Sequence, residues 1–494
     1  MKKYWWFILA FFFFTLLFSL KIDLFTADLG RHIKNGEFVF KNPAVLSQNF
    51  YSYTNTNYPF LNHHWGSGVV FYLINSIFGF KGSGVFYAAI SALTTIVFFL
   101  SAKKNANLFI AGLALVLALP LLLYRGEVRP EAFSYLFCGV FYSLLKTKKK
   151  YFLLPAVMLF WVNLHVYFFL GFFLIGLFIL EDIFKKEFAD LKKLLTIAVL
   201  CLLASLVNPA GIKGLLYPLH IFDQYGYRLL ENQSIFFLKR ILGDYPVGIY
   251  FFIGFLIFVV SFLYSIFKTW KINLSNFILS LFVSCLALKA VRNFSLFGFF
   301  LIPLMSENLK ELKLSKKESI NNFLFLILSS LLVPTLFLIK PKFWFSKNFG
   351  FGLKNNNLQA ADFFQKNNLK GPIFNNYDIG GYLIYFLFPQ EKVFVDNRPE
   401  AYPVEFFTKT YVPMQENEDI WQKQSEKYAF NAIFFYYRDL TPWAQTFLLN
   451  RIADENWVPV YVDQSAIILV KNNELNKDLI KKYRIPSEMF SMKK

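Results

Sequence analysis

A polytopic α-helical membrane protein with a small α/β domain at its C-terminal end is the fold class this sequence predicts. Three observations carry it: long apolar runs, basic clusters between those runs, and a change of composition after Lys340-Pro341. Of the 494 residues, 56% are hydrophobic and 20% aromatic, with 65 Phe, and the mean hydropathy is +0.42. Soluble domains carry about 45–50% apolar residues. One water-soluble core cannot hide this many rings, so lipid is the expected solvent.

A spanning helix needs about 20 apolar residues at roughly 1.5 Å each. Runs that meet this are 4–22, 84–102, 107–124, 246–267 and 320–340. Shorter ones are 133–145, 151–162, 166–180, 194–208, 274–288 and 295–306, which fit where helices line a cavity. The first run follows Met1-Lys2-Lys3 like a signal peptide. With no small-residue cleavage site after it, it reads as a retained signal anchor.

The net charge of +19 lies mainly in lysine clusters between runs: Lys2-Lys3, Lys103-Lys104, Lys146–Lys150, Lys185–Lys193, Lys268–Lys271 and Lys310–Lys317. All face the cytoplasm if 66–79 does not cross. That stretch is short and interrupted by Gly66, Gly68 and Asn75, so it reads as an interfacial helix. About 11 helices then span, with the N-terminus cytoplasmic and the C-terminal domain extracytoplasmic. The charge is thus topology in a multi-pass plasma (inner) membrane protein, not a nucleic-acid footprint. The expected domains are 1–340, with a long first outer loop 23–83, and 341–494. Cys138, Cys201 and Cys285 each lie in an apolar run and read as buried thiols.

This topology gathers the polar residues on the outer face, including all five histidines. In the first loop, Thr26 is positioned to cap a helix beginning Ala27-Asp28, which puts Asp28, Arg31 and His32 on one face. A carboxylate beside a cation and an imidazole suits proton transfer or metal binding; a surface pair at a helix start is the plainer reading. His63-His64 follows in an aromatic stretch typical of the headgroup belt.

Arg125-Gly126-Glu127-Val128-Arg129-Pro130-Glu131 joins two spans. Its arginines suit a lipid phosphate, or else pair with the acids beside them. Trp161-Val162-Asn163-Leu164-His165 interrupts an apolar run, either as a site or as a hairpin turn. Arg292 follows the ninth span, facing an anionic headgroup or snorkelling to the surface.

In the C-terminal domain, 372–376, 392–396 and 432–436 read as buried strands, with a hairpin formed by 457–462 and 466–470. Helices are expected over 358–367, 403–414, 417–428 and 441–453. Asp378-Ile379-Gly380-Gly381 and Val395-Asp396-Asn397-Arg398 follow predicted strands, where α/β sheets place ligand crevices. Asp396 and Arg398 there suit a sugar, or a clamp onto the membrane part. No phosphate-loop pattern is present.

With these segments in place, the chain resembles the GT-C superfamily of membrane glycosyltransferases, similar in plan to protein O-mannosyltransferases and lipid A aminoarabinose transferases. The likeness rests on Asp28-Leu29-Gly30-Arg31-His32, Arg129-Pro130, Trp161–His165, Asn208-Pro209-Ala210-Gly211, Gly380-Gly381-Tyr382-Leu383 and Val395–Arg398, in that order. It implies a polyprenyl-phosphate sugar donor and a glycan, lipid or protein acceptor. Asp28 is then the catalytic base. Arg31, His32, His64, Arg129, Glu131, Asn163, His165, Arg292, Asp396 and Arg398 are the substrate-binding set. Many superfamily members carry a paired acid in the first loop; here leucine follows Asp28, so a divalent metal, Mg or Mn, stays open. The alternative is a transporter, flippase or binding protein for lipid-linked glycans. The absence of an inverted repeat and the one-sided polar residues favour the enzyme.

Overall fold

The computed structural model describes residues 2–42, 44–220, 223, 225–243, 245–270, 273–312, 320 and 348–490. The expected span 320–340 lies almost wholly outside them. Two compact units emerge, one of residues 1–21, 83–218 and 229–351, the other of 22–82, 219–228 and 352–494.

The first unit is a helical bundle. It contains α1 (Lys2–Leu17), the second part of α3 (Trp65–Asn105), α4 (Leu108–Leu123), α5 (Glu131–Thr147), α6 (Leu153–Leu164), α7 (Phe169–Lys185), α8 (Phe188–Ser205), the short α9 (Ile212–Leu216) and α10 (Ile235–Leu242), α11 (Pro246–Thr269), α12 (Leu274–Lys289) and α13 (Phe294–Asn308). Among the described residues, three helices are long and apolar enough to cross a membrane: α3, α11 and the run Val166–Lys185. Helix α13 is the core, buried along nearly its whole length. It packs on α4, where Gly298 lies against Leu121, Leu122 and Ala118. Small residues at such crossings let backbones approach, which replaces the hydrophobic drive that lipid removes. The outward faces of α8 and α11 carry exposed Leu200, Leu203, Leu256 and Val260, as lipid contact requires.

The bundle has two polar ends. At one, Lys148 meets Asp182, Glu187 and Asp190, Lys185 meets Glu181, and Lys146 meets Glu307. These residues come from the C-terminal ends of α5, α7 and α13 and the N-terminal end of α8. The opposite end carries the arginines described below. Cys285 corrects the expectation of three buried thiols, because it is exposed whereas Cys138 and Cys201 are buried. It follows Phe277 and Leu281, both exposed, at helical spacing on α12; an apolar run does not reveal which of its faces meets lipid.

The second unit is built on a four-stranded sheet of order β1-β2-β4-β3, comprising β1 (Ile373–Asn375), β2 (Ala432–Tyr436), β3 (Trp457–Val462) and β4 (Ala466–Lys471). β1 and β2 are parallel; the other pairs are antiparallel. Phe374, Phe394, Trp421, Phe430 and Phe447 form its aromatic core. Three expectations are corrected. Residues 392–396 form a loop with one isolated bridge, Ser52 to Val393, because Asn375 takes the backbone of Phe394 and Val395 with its side chain. Residues 403–414 hold a π-helical turn, Phe406–Tyr411, followed by a short helix. And α2 (Leu29–Lys41) starts after Asp28, not after a Thr26 cap.

The first loop folds into this second unit. Ile22 bridges Leu353, and Lys354 pairs with Asp23. Helix α2 crosses the helix Gly380–Leu387 at glycines: a Cβ on Gly30 would stand 2.9 Å from the Gly381 carbonyl oxygen. It also crosses the first part of α3, where a Cβ on Gly36 would stand 2.0 Å from the Gly68 carbonyl oxygen. That part ends at Gly79, whose φ of 63° breaks the 41-residue helix. The sequence separates 66–79 from 84–102 at the same place.

Gly36 therefore has no room for a methyl, since the obstacle is backbone. G36A is expected to lower stability by about 1–3 kcal/mol, read as a lower melting temperature of the purified protein. G176A, with nothing within 4 Å of its Cβ, is the control and should melt at or slightly above wild type. Equal melting of G36A and wild type would contradict the crossing.

Candidate functional site

In the second unit, Asp28 stands immediately before α2 and its side chain is 24% exposed. Its carboxylate accepts a hydrogen bond from the Asn397 amide and lies 3.7 Å from the Arg31 guanidinium, one turn on. The Asn397 carbonyl in turn accepts from Arg31 Nε at 2.8 Å. One amide thus fixes both charged groups, using its donor on the acid and its acceptor on the base. Glu400 completes the group: burial raises its carboxyl above the ordinary range, against the opposing charges of Arg31 and Arg398. His32 packs edge-on against His64 with centroids 5.5 Å apart, and His64 against His63 at 3.8 Å.

Asp396 and Arg398 are turned inward. Their side chains are 0% and 1% exposed and meet in a two-pronged pair, Nε and Nη2 each at 2.7 Å. Arg398 also donates to Asn49 at 2.8 Å and lies over the rings of Tyr51 and Phe60, while Tyr402 donates to Asp396 at 2.9 Å. This pair ties 49–60 of the first loop to 396–402. It supports Asn397 between its two members.

In the first unit, three arginines meet three glutamates. Arg125 binds Glu131 at 2.5 Å and Glu231 at 2.8 Å. Arg129 binds Glu127 at 2.9 Å and Glu231 at 3.1 Å. Arg292 binds Glu131 at 3.0 Å and Asn232 at 2.9 Å, with Glu231 at 3.6 Å. Three positive and three negative side chains cancel. Asn163 donates to Leu159 O and Val207 O, both at 2.8 Å, joining α6 to the end of α8. His165 is 1% exposed and pairs with Ser134 at 2.7 Å, where Trp161 also donates. Tyr167 links this junction to the arginines, donating to Asn293 at 3.1 Å beneath Arg292.

The structure therefore brings the expected residues together as two groups. Asp28, Arg31, His32, His64, Asp396 and Arg398 belong to the second unit; Arg129, Glu131, Asn163, His165 and Arg292 belong to the first. Asn397, Glu400 and Glu231 fall outside the substrate-binding set that the resemblance implies. Asn397 sits between Asp396 and Arg398 in a segment the sequence does single out, but charge drew attention to its neighbours. Among the described residues, no group of three or more His, Cys, Asp or Glu is able to hold a metal ion. Mg or Mn also fits Asp28 poorly, since its neighbours Arg31 and the Asn397 amide present positive charge and N–H donors.

The fold is of the GT-C type. In particular, the chain is similar to an archaeal oligosaccharyltransferase, AglB from Archaeoglobus fulgidus, solved in complex with an inhibitory peptide and a dolichol-phosphate. The likeness covers 96% of this chain and 75% of that one, with a TM-score of 0.59 and 11% identity. No protein-family model and no curated protein sequence matches the chain.

Glu231 is the hub of the charge network. Burial pulls its carboxyl upward, but Arg125, Arg129 and Arg292 outweigh this and hold it well below the carboxylate range. Its contribution is thus complete above the unfolded value of about 4.3 and is lost as pH falls through the lower folded value. E231Q is expected to cost about 1–3 kcal/mol at neutral pH. The melting gap to wild type should hold from pH 8 to about 5 and close only in acid below about 4.3. A gap that closes near neutrality would refute an ionised Glu231.

Proposed function

We propose that the chain is a glycosyltransferase of the plasma (inner) membrane, moving a sugar from a polyprenyl-phosphate donor to a glycan, lipid or protein hydroxyl on the extracytoplasmic side. The observation that carries the reading is the GT-C fold over 96% of the chain, with a partly exposed carboxylate held at the start of α2. Asp28 removes the acceptor proton as the acceptor oxygen bonds the anomeric carbon. The bond from that carbon to the phosphate breaks, and the lipid phosphate leaves with the electron pair. Arg31 supplies positive charge near the reacting atoms, and His32 and His64 line the same end of α2. Arg129, Glu131 and Arg292 of the first unit remain proposed substrate-binding residues. The AglB structure contains a dolichol-phosphate, which supports a lipid-linked donor here.

Asn397 is a positioning residue in this scheme. With a polyprenyl-phosphate sugar and a pooled glycan and peptide acceptor, D28N should lower transfer by about 10²-fold or more while still binding donor lipid. N397A should lower kcat by about tenfold with KM near wild type, because the carboxylate is present but unfixed. D28N protein that transfers at the wild-type rate would overturn the Asp28 role.

A further inference from the structure

A ring-lined recess, occupied by Tyr227, lies at the carboxyl ends of the parallel strands β1 and β2, the place where α/β sheets bind ligands. Asn376 and Asp439 build it. Asn376 Nδ2 donates to Asp439 at 2.8 Å and Asn376 Oδ1 accepts from Tyr436 N at 2.9 Å, while Asp439 accepts from Thr441 N at 2.8 Å. Its walls are the rings of Tyr377, Phe407, Tyr411 and Trp443. Tyr227 fills it: the ring stacks on Tyr377 with centroids 4.2 Å apart and lies 5.3 Å from Phe407, 5.9 Å from Tyr411 and 6.4 Å from Trp443. Gly226 presses on residue 404 with φ of 77°; a Cβ there would stand 2.7 Å from the Val404 carbonyl oxygen. Tyr227 comes from residues 219–228, which belong to the second unit although the chain on either side belongs to the first.

The fit is incomplete in one respect. The Tyr377 hydroxyl, Trp443 Nε1 and Thr441 Oγ1 are buried without a hydrogen-bond partner among the described residues. Buried donors are rarely left so, because each forfeits its bond to water. A sugar ring offers an apolar C–H face to lie on aromatic rings and several hydroxyls around its edge for polar atoms, where Tyr227 has one.

We propose that this aromatic recess is a saccharide-binding site, and that Tyr227 is a plug which a sugar displaces. The inference deepens the glycosyl-transfer reading and rests on it only for its biological sense, since binding is measured without turnover.

The test is equilibrium binding of methyl mannoside, methyl glucoside and N-acetylglucosamine to the full chain in lipid nanodiscs, with N-acetyl-tyrosinamide as the aromatic competitor. Y227A should bind at least one saccharide about tenfold more tightly than wild type, and Y227F should match wild type. Adding W443F to Y227A keeps a ring but removes the indole N–H, and should undo much of the gain. Folded Y227A that gains no saccharide affinity, or gains it only for N-acetyl-tyrosinamide, overturns the assignment. If Y227A does not fold, hydrogen exchange of 225–228 in wild type decides: faster exchange with millimolar sugar supports displacement, and unchanged exchange refutes it. A saccharide bound in Y227A by a protein with no transferase activity would keep this site while removing the enzymatic reading.

Discussion

One side-chain amide, that of Asn397, holds a carboxylate and a guanidinium whose places in the chain are far from its own. It donates to Asp28 and accepts from Arg31. Much of the second unit's construction bears on that contact. Gly30 and Gly381 let α2 lie against the helix Gly380–Leu387, and a Cβ on Gly380 would fall 2.4 Å from the Asp396 Cα. The buried Asp396–Arg398 pair fixes the residues on either side of Asn397 and reaches back to Asn49 and Tyr51 of the first loop. A buried pair of this kind adds little net stability; here its hydrogen bonds hold 396 and 398 in place on either side of Asn397. An acid positioned this way keeps its orientation before substrate arrives, as efficient proton transfer needs.

The two polar ends of the bundle use different cations for physical reasons. At one end lysines reach acids from flexible stems, Lys148 alone meeting Asp182, Glu187 and Asp190. At the other, arginines share Glu131 and Glu231 between several guanidiniums. The planar fork of arginine bonds two carboxylates at once and loses less freedom per bond, which suits a recessed network.

Much of the helical plan was legible in the sequence, because apolar runs and their punctuation directly report the cost of burying backbone and charge in lipid. The strands 432–436, 457–462 and 466–470 were also legible, being apolar segments bounded by turn residues. The loop 392–396 was misread because its run of Val393, Phe394 and Val395 is buried by packing, not by pairing along a sheet. At the site, Asp28, Arg31 and His32 could be placed together because helical spacing is local. Their partner Asn397 could not, since no periodicity links residues that distant. Tyr227 was invisible for the same reason: a tyrosine in a polar loop announces nothing until the rings of Tyr377, Phe407 and Trp443 are seen around it.

The central claim is that the protein breaks the bond between sugar and lipid phosphate. It is tested most directly by a single-turnover experiment with purified protein in sealed vesicles, counting free polyprenyl phosphate and glycosylated acceptor together. The account predicts equal amounts of the two, formed at the same rate. Intact donor lipid recovered on the opposite leaflet, with no free lipid phosphate, would contradict it and identify a transporter.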